Sequence, residues 1–92
     1  MDSFSRYALA LELLKMNKLE EARQEFEHLL KVAPDYLATY FQLGKIQESS
    51  GEKEKALATY SSGIEVARSK KDRHTLSELQ SARQNLLISG DE

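Results

Sequence analysis

The sequence predicts an all-α protein built from stacked helical hairpins, and three observations lead to this prediction. The 92 residues include one proline and four glycines, so few positions interrupt long helices. Residues 3–36 match residues 37–70 in size and polarity when the chain is offset against itself. Turn and capping residues divide each segment into two helices. We expect one domain over residues 1–92.

The register of this internal repeat, about 34 residues, rests on paired positions of similar size or turn chemistry. The pairs are Leu9 with Leu43, Ala10 with Gly44, Ala22 with Ala56, Phe26 with Tyr60, Leu30 with Ile64, and Asn17 with Gly51. Six matches in one register, at small, aromatic and turn positions, are hard to obtain by chance. The sequence therefore predicts two copies of one helix-turn-helix unit.

The first repeat, residues 3–36, is predicted to contain helices over about 3–15 and 19–32. Asp2 or Ser3 can cap the first of these helices. Asn17 lies in the turn between them, where its side chain tolerates the left-handed backbone that a helix end often needs. Pro34 ends the second helix, because a proline forces the residue before it out of helical geometry.

The second repeat, residues 37–70, is predicted to contain helices over about 36–49 and 54–69, with Gly51 in the turn. A fifth helix follows over about 73–88, within a C-terminal segment 72–88 that Asp72 can cap. One side of this helix is apolar, through Leu76, Leu79, Ala82, Leu86 and Leu87. The other side is polar, as expected of a helix that closes the end of a stacked array.

The small and aromatic positions carry a resemblance to a known family. The second repeat has Tyr40, Leu43-Gly44, Ala56 and Tyr60, and the first has Leu9-Ala10, Ala22, Phe26 and Pro34. This pattern resembles the tetratricopeptide repeat (TPR). The resemblance implies a right-handed α-α superhelix of two TPR-like repeats with a C-terminal capping helix. The end of the chain also resembles small stand-alone bacterial members of that family.

Three positions depart from the pattern. Arg6 stands where the second repeat has Tyr40, and Leu29 stands where it has Gly63. Arg68 replaces the proline that ends the equivalent helix of the first repeat, so we expect the fourth helix to be longer.

Composition and charge exclude several classes of function. The net charge is −2, from 13 basic and 15 acidic residues, which gives no general attraction to nucleic acid or anionic membranes. There is no cysteine, so thiol chemistry and disulfides are excluded. The sequence shows no signal peptide and no apolar run long enough to cross a bilayer. We therefore expect a cytoplasmic protein with no membrane partner.

The residues needed for catalysis do not form a recognisable motif. His28 and His74 lie on different predicted helices without a second histidine at helical spacing. Neither a Gly-x-Ser-x-Gly elbow nor a glycine-rich phosphate loop is present. We predict that the protein is not an enzyme and has no catalytic, metal or cofactor site.

The resemblance implies a binding surface, because the first helix of each TPR pair lines a concave groove that holds partner segments. Carried over by position, the groove residues are Phe4, Tyr7, Leu11, Leu14, Lys15, Ala38, Phe41, Lys45, Glu48, Thr75, Leu79 and Arg83. The N-terminal half of this set is apolar and aromatic. The expected function is a non-catalytic protein–protein interaction module that binds a protein or peptide through apolar anchors.

Three alternatives remain open at this point. The first helix is apolar on more than one side, so the same groove could be the interface of a homodimer, or these residues could pack among themselves. A more remote alternative is a phosphate or nucleic-acid contact through the basic turn formed by Arg68, Lys70, Lys71 and Arg73. We do not expect nucleic acid as the partner, because no neighbouring aromatic residues are available to stack on bases.

Overall fold

The computed structural model describes residues 1–89, and within this range it contains five α-helices and no strand. The helices are α1 (Ser3–Lys15), α2 (Leu19–Val32), α3 (Ala38–Ser49), α4 (Lys53–Lys70) and α5 (Arg73–Ser89). Consecutive helices pack against each other, and α5 also contacts α3. The predicted all-α fold of two hairpins and a terminal helix is confirmed.

Three of the helices end with the same backbone motif. Asn17, Gly51 and Lys71 follow α1, α3 and α4 with left-handed φ angles of 61°, 77° and 60°. The next N–H group in each case donates back to a carbonyl five residues earlier, at 2.8 Å from Lys18 to Leu13, 2.8 Å from Glu52 to Gln47 and 3.0 Å from Asp72 to Ala67. This is the Schellman arrangement, which satisfies carbonyl groups that a helix end leaves free. The sequence pointed to Asn17 and Gly51, but Lys71 was not foreseen.

The boundaries of α3 and α4 differ from those expected. α3 begins at Ala38 rather than near Tyr36. The turn before it is held by hydrogen bonds that do not belong to the helix. One of them is donated by the Tyr40 hydroxyl to the Pro34 carbonyl at 2.5 Å. α4 has 18 residues and α2 has 14, since Arg68 does not interrupt α4 as Pro34 stops the chain after α2. The expected lengthening of α4 is therefore present.

Two apolar clusters form the core, and α3 belongs to both. The cluster of the first repeat contains Ala10, Ala22, Phe26, Leu29, Leu43 and Ile46. The cluster of the second repeat and α5 contains Leu37, Tyr40, Ala56, Tyr60, Ile64, Ala67, Leu79, Ala82 and Leu86. Because α3 supplies residues to each cluster, its position fixes the second repeat relative to the first.

Glycine allows the closest helix contacts of the second repeat. A Cβ atom on Gly44 would lie 2.2 Å from Cε1 of Tyr60, and one on Gly63 would lie 2.7 Å from Cβ of Tyr40. In the α3–α4 hairpin, a glycine of each helix thus packs against an aromatic side chain of the other. Both rings are buried, at 5% exposure for Tyr40 and 0% for Tyr60.

The first repeat packs its two helices with different residues at the equivalent positions. Leu29, at the position of Gly63, is fully buried and occupies space in the core. Arg6, at the position of Tyr40, is half-buried, and its Nη1 donates to Oε1 of Glu25 at 3.0 Å. In the first repeat the large residue is thus on α2, and the residue on α1 is charged and stays outside the apolar core. This exchange explains how both departures from the repeat pattern fit one fold.

We predict that Gly44→Ala destabilises the protein. An alanine would gain about 1 kcal/mol of helix propensity, but its methyl group would overlap the Tyr60 ring. Overpacking of a core costs about 1–3 kcal/mol, and the depth of this overlap places the cost at the upper end, so we expect a net loss of about 2 kcal/mol in urea unfolding. Ser62→Ala, at an exposed position of α4, is the control and should change little. An unchanged midpoint for Gly44→Ala would show that the contact is not tight.

We also predict a pH-dependent contribution from the cap of α5. The Asp72 carboxylate accepts from the N–H of Thr75 at 3.1 Å and from its hydroxyl at 2.9 Å. These bonds lower the pKa of Asp72 below its usual value of 3.8. The folded state therefore binds this proton less readily, so the stabilisation is complete above the unfolded pKa and disappears as the pH falls through the folded one.

Asp72→Asn tests this assignment, since asparagine keeps the capping oxygen without the charge. Urea unfolding from pH 6 down to about pH 2 should show a shallower loss of stability for Asp72→Asn than for wild type. Two superimposable pH profiles would contradict the role of Asp72.

Candidate partner-binding groove

The helices α1, α3 and α5 together line a groove on one side of the molecule. A depression of about 360 Å³ lies between α3 and α5, lined by Phe41, Lys45, His74, Ser77, Glu78, Ser81, Ala82 and Asn85. A second of about 320 Å³ involves all three helices and is lined by Tyr7, Ala38, Phe41, Gln42, Thr75 and Glu78. Phe41 and Glu78 belong to both, so the two depressions form one continuous groove.

Two half-buried aromatic rings form the apolar part of the groove. The Tyr7 ring packs edge-on against Phe26 at a centroid distance of 5.8 Å and against Tyr36 at 5.5 Å. The Phe41 ring lies 6.5 Å from the ring of Tyr60. Each groove ring is thus supported from behind by a core or loop aromatic residue. Such support fixes the position of a ring before any ligand arrives.

Burial affects the chemistry of Tyr7. Loss of solvent raises the pKa of its hydroxyl above the usual value of 10.0. Like any tyrosine hydroxyl at neutral pH, it is protonated and able to donate a hydrogen bond.

The charged groups of the groove are already paired with neighbours. Nζ of Lys45 lies 5.5 Å from the centre of the Phe41 ring and 3.8 Å from Oε2 of Glu48. Nε2 of His74 lies 3.3 Å from Oε2 of Glu78. Both signs of charge are present, and the amides of Gln42 and Asn85 add neutral hydrogen-bonding groups. The groove has aromatic residues on the side of α1 and α3 and a polar wall on α5.

The structure brings some of the predicted groove residues together. Tyr7, Phe41 and Lys45 line the groove, as do Ala38 and Thr75. Phe4 lies one turn before Tyr7 on the same face of α1 and is 70% exposed.

Four other predicted residues have different surroundings. Leu11 and Leu14 are half-buried against the core cluster of the first repeat. Lys15 is exposed, with Nζ 3.4 Å from Oε1 of Glu12. Glu48 accepts a hydrogen bond from the Tyr60 hydroxyl, which ties it to the core. These residues support or border the groove more than they line it.

Leu79 and Arg83 do not lie in the groove. Leu79 is fully buried, and its Cδ1 would contact a Cβ on Gly63 at 2.9 Å. Arg83 faces a separate cleft between α4 and α5, where its Nε donates to Oγ of Ser61 at 3.1 Å. Neither residue lies on the side of α5 that lines the groove, where the repeat register had placed it.

The error on α5 has a physical origin in the length of α4. A constant 34-residue offset from α3 to α5 places the expected groove residues too early in α5. His74, Ser77 and Ser81, which do line the groove, lie 36 residues after Ala38, Phe41 and Lys45 (41 to 77, for example). The absence of a proline at Arg68 lengthens α4 and shifts the register. The apolar stripe through Leu79 was a second signal, since it marks the core side of α5.

The basic turn after α4 is partly engaged in internal contacts. Nη1 of Arg68 lies 3.0 Å from Oε2 of Glu65, and Nζ of Lys70 donates to the Asp35 carbonyl at 2.9 Å. Lys71 and Arg73 are exposed. The contact of Lys70 with Asp35 connects the end of the second repeat to the loop between the repeats, which is a structural role.

Two further features bear on the class of protein. Residues 1–89 contain no group of three or more histidine and carboxylate side chains placed to hold a metal ion. None of the helices in this range is long and apolar enough to cross a membrane.

Comparisons with known proteins identify the family. The family model described as tetratricopeptide repeat matches residues 13–85, which is most of the chain. The chain belongs to the tetratricopeptide repeat family. TPR proteins are generally protein–protein interaction modules and non-catalytic scaffolds. None of the curated proteins matches this chain.

Solved TPR structures have the same fold. A TPR domain protein from Salinibacter ruber, solved in solution, is 44% identical with a TM-score of 0.91, over 99% of this chain and 90% of its own. A crystal structure of a TPR domain protein from the same organism is 45% identical with a TM-score of 0.89, over 92% and 96%. A protein from Bordetella parapertussis is 22% identical with a TM-score of 0.85, over 97% and 77%, which shows the fold alone.

Proposed function

We propose that this TPR protein binds a segment of a partner protein in the groove formed by α1, α3 and α5, without catalysing a reaction. The observation that carries the proposal is the continuity of the groove across three helices, with Phe41 at its centre. Family membership supports the general role, because TPR proteins are generally interaction modules. A cytoplasmic location stays a prediction from the sequence.

The chemistry of the groove favours an apolar side chain as the anchor of the partner segment. Phe41 and Tyr7 are half-buried, and each ring packs against another aromatic ring. A ligand can therefore cover them with little further loss of side-chain conformational entropy. Gln42 and Asn85 can exchange hydrogen bonds with the backbone of an extended peptide. Lys45 and Glu78 carry opposite charges, so long-range attraction to either sign of ligand is small.

We predict that Phe41→Glu weakens peptide binding. Peptides selected from a random display library against the wild-type chain would be synthesised, and their dissociation constants measured by calorimetry. A carboxylate at position 41 would remove the anchor and place a charge in a desolvated site, so affinity should fall at least about 10-fold, or about 1.4 kcal/mol. Affinity for wild type should change little between low and moderate salt, as apolar anchoring requires.

Val32→Glu is the matched control, because Val32 is an equally apolar side chain, 58% exposed at the end of α2 and outside the groove. It should bind the selected peptides like wild type. Selected peptides that bind Phe41→Glu with unchanged affinity, or a failure to select any peptide, would contradict the proposal. Dimerisation through the groove also stays a prediction, and light scattering of Phe41→Glu beside wild type tests it in the same samples.

A further inference from the structure

The two depressions of the groove differ in their charged residues. The one between α3 and α5 has both signs of charge, from Lys45 and Glu78. The one that includes α1, which we name the α1-side pocket, is lined by Tyr7, Ala38, Phe41, Gln42, Thr75 and Glu78. Among these described residues Glu78 is the single charged one. The α1-side pocket therefore has a negative group and no positive group in its lining.

The α1-side pocket has apolar walls and room for one side chain of a partner. Its volume is about 320 Å³, at the lower end of the range of roughly 300–1,000 Å³ found for ligand pockets. The rings of Tyr7 and Phe41 provide apolar surface, and each packs against another aromatic ring. Ala38, one turn before Phe41 on α3, adds only a methyl group. An occupant thus meets apolar surface on α1 and α3 and the Glu78 carboxylate on α5.

The basic residues next to this lining on α1 and α3 are paired with other carboxylates. Nη1 of Arg6 lies 3.0 Å from Oε1 of Glu25, and both side chains are largely covered. Nζ of Lys45 lies 3.8 Å from Oε2 of Glu48. Because these two cations have partners of their own, they leave the charge of Glu78 uncompensated in the α1-side pocket.

The contact between Glu78 and His74 lies at the surface. Nε2 of His74 is 3.3 Å from Oε2 of Glu78, and the two side chains are 84% and 54% exposed. Pairs that are this exposed contribute little, since water competes for both groups. A cation that enters the α1-side pocket can therefore replace His74 as the partner of the carboxylate.

A lysine or arginine side chain matches both features of the α1-side pocket. Its aliphatic stem can lie against apolar surface while its charged end stays near water. Its cation is attracted to a carboxylate and to the face of an aromatic ring. An acidic side chain would be repelled by Glu78, and a purely apolar one would take water from the carboxylate without replacing it.

A contact between a basic side chain and an aromatic ring already exists in the groove. Nζ of Lys45 lies 5.5 Å from the centre of the Phe41 ring. Lys45 lines the neighbouring depression, so it does not fill the α1-side pocket. The ring of Tyr7 and the carboxylate of Glu78 offer a second cation the same kind of surroundings.

We propose that the α1-side pocket binds a lysine or arginine side chain of the partner segment, with its stem against Tyr7 and Phe41 and its charge beside Glu78. This inference rests on the function proposed for the groove and names the chemistry of one position of the partner. The stem supplies apolar contact, and one pair of charges at the surface adds little salt dependence to the whole affinity.

The peptides selected from the random library test the inference, because the library does not favour either charge. Lysine or arginine should be enriched at one aligned position of the peptides whose binding depends on Phe41. Norleucine has an aliphatic stem without the charge, so its introduction at that position should weaken binding about fivefold. Glutamate at the same position should weaken binding further, since it adds repulsion from Glu78.

Glu78→Gln tests the pocket residue, and Glu27→Gln, at an exposed position of α2 outside the groove, is the control with the same change of charge. Glu78→Gln should weaken the basic peptide about fivefold and leave the norleucine peptide unchanged. Glu27→Gln should bind both peptides like wild type. Glu78→Lys should prefer the glutamate peptide to the basic one, which reverses the preference of wild type.

The outcomes separate this inference from the function on which it rests. Peptides that depend on Phe41 but share no basic residue, or that bind Glu78→Gln as tightly as wild type, would overturn the inference alone. A selection that yields no peptide, or only peptides that bind Phe41→Glu as well as wild type, would overturn the proposed function and the inference together.

Discussion

The close approach of α3 and α4 is the constraint on which the rest of the structure depends. Gly44 receives the ring of Tyr60, and Gly63 receives the side chain of Tyr40. With these two contacts made, Tyr60 supports Phe41 from behind and donates a hydrogen bond to Glu48, which in turn lies near Lys45. The core of the second repeat therefore determines where the central residues of the groove stand. A change in the hairpin would therefore alter the shape of the groove without any substitution of a groove residue.

The first repeat depends on the second through α3. Leu43 and Ile46 complete the core of the first repeat, although they belong to the second. Arg23 adds a polar connection to Ser50 and Glu52, and the pairing with Arg23 and Lys55 lowers the pKa of Glu52. By contrast, α1 has a single fully buried residue, Ala10. The array is consequently well packed in its middle and at its C-terminal end, and open at α1.

Much of the fold could be predicted from the sequence because local signals agreed with the repeat register. Asp2, Asn17 and Pro34 determined the limits of α1 and α2, and both helices have the bounds expected. The left-handed Lys71 could not be foreseen, since lysine has no preference for that conformation and adopts it here because the chain must turn. The groove was predicted less completely. Tyr7 and Phe41 follow the repeat, but the longer α4 changes which side of α5 faces α3. Leu79 and Arg83 therefore lie outside the groove, and His74, Glu78 and Asn85 line it instead.

Native-state hydrogen exchange of the backbone amides tests most directly whether the α3–α4 hairpin is the centre of stability. Amides around Leu43 in α3 and Ile64 in α4 should exchange only through global unfolding, because their helices form the tightest contacts. Amides in the middle of α1 should exchange at least about 10-fold faster, which corresponds to about 1.4 kcal/mol less protection. Protection of α1 equal to that of α3 and α4, or faster exchange in the hairpin than in α1, would contradict the account.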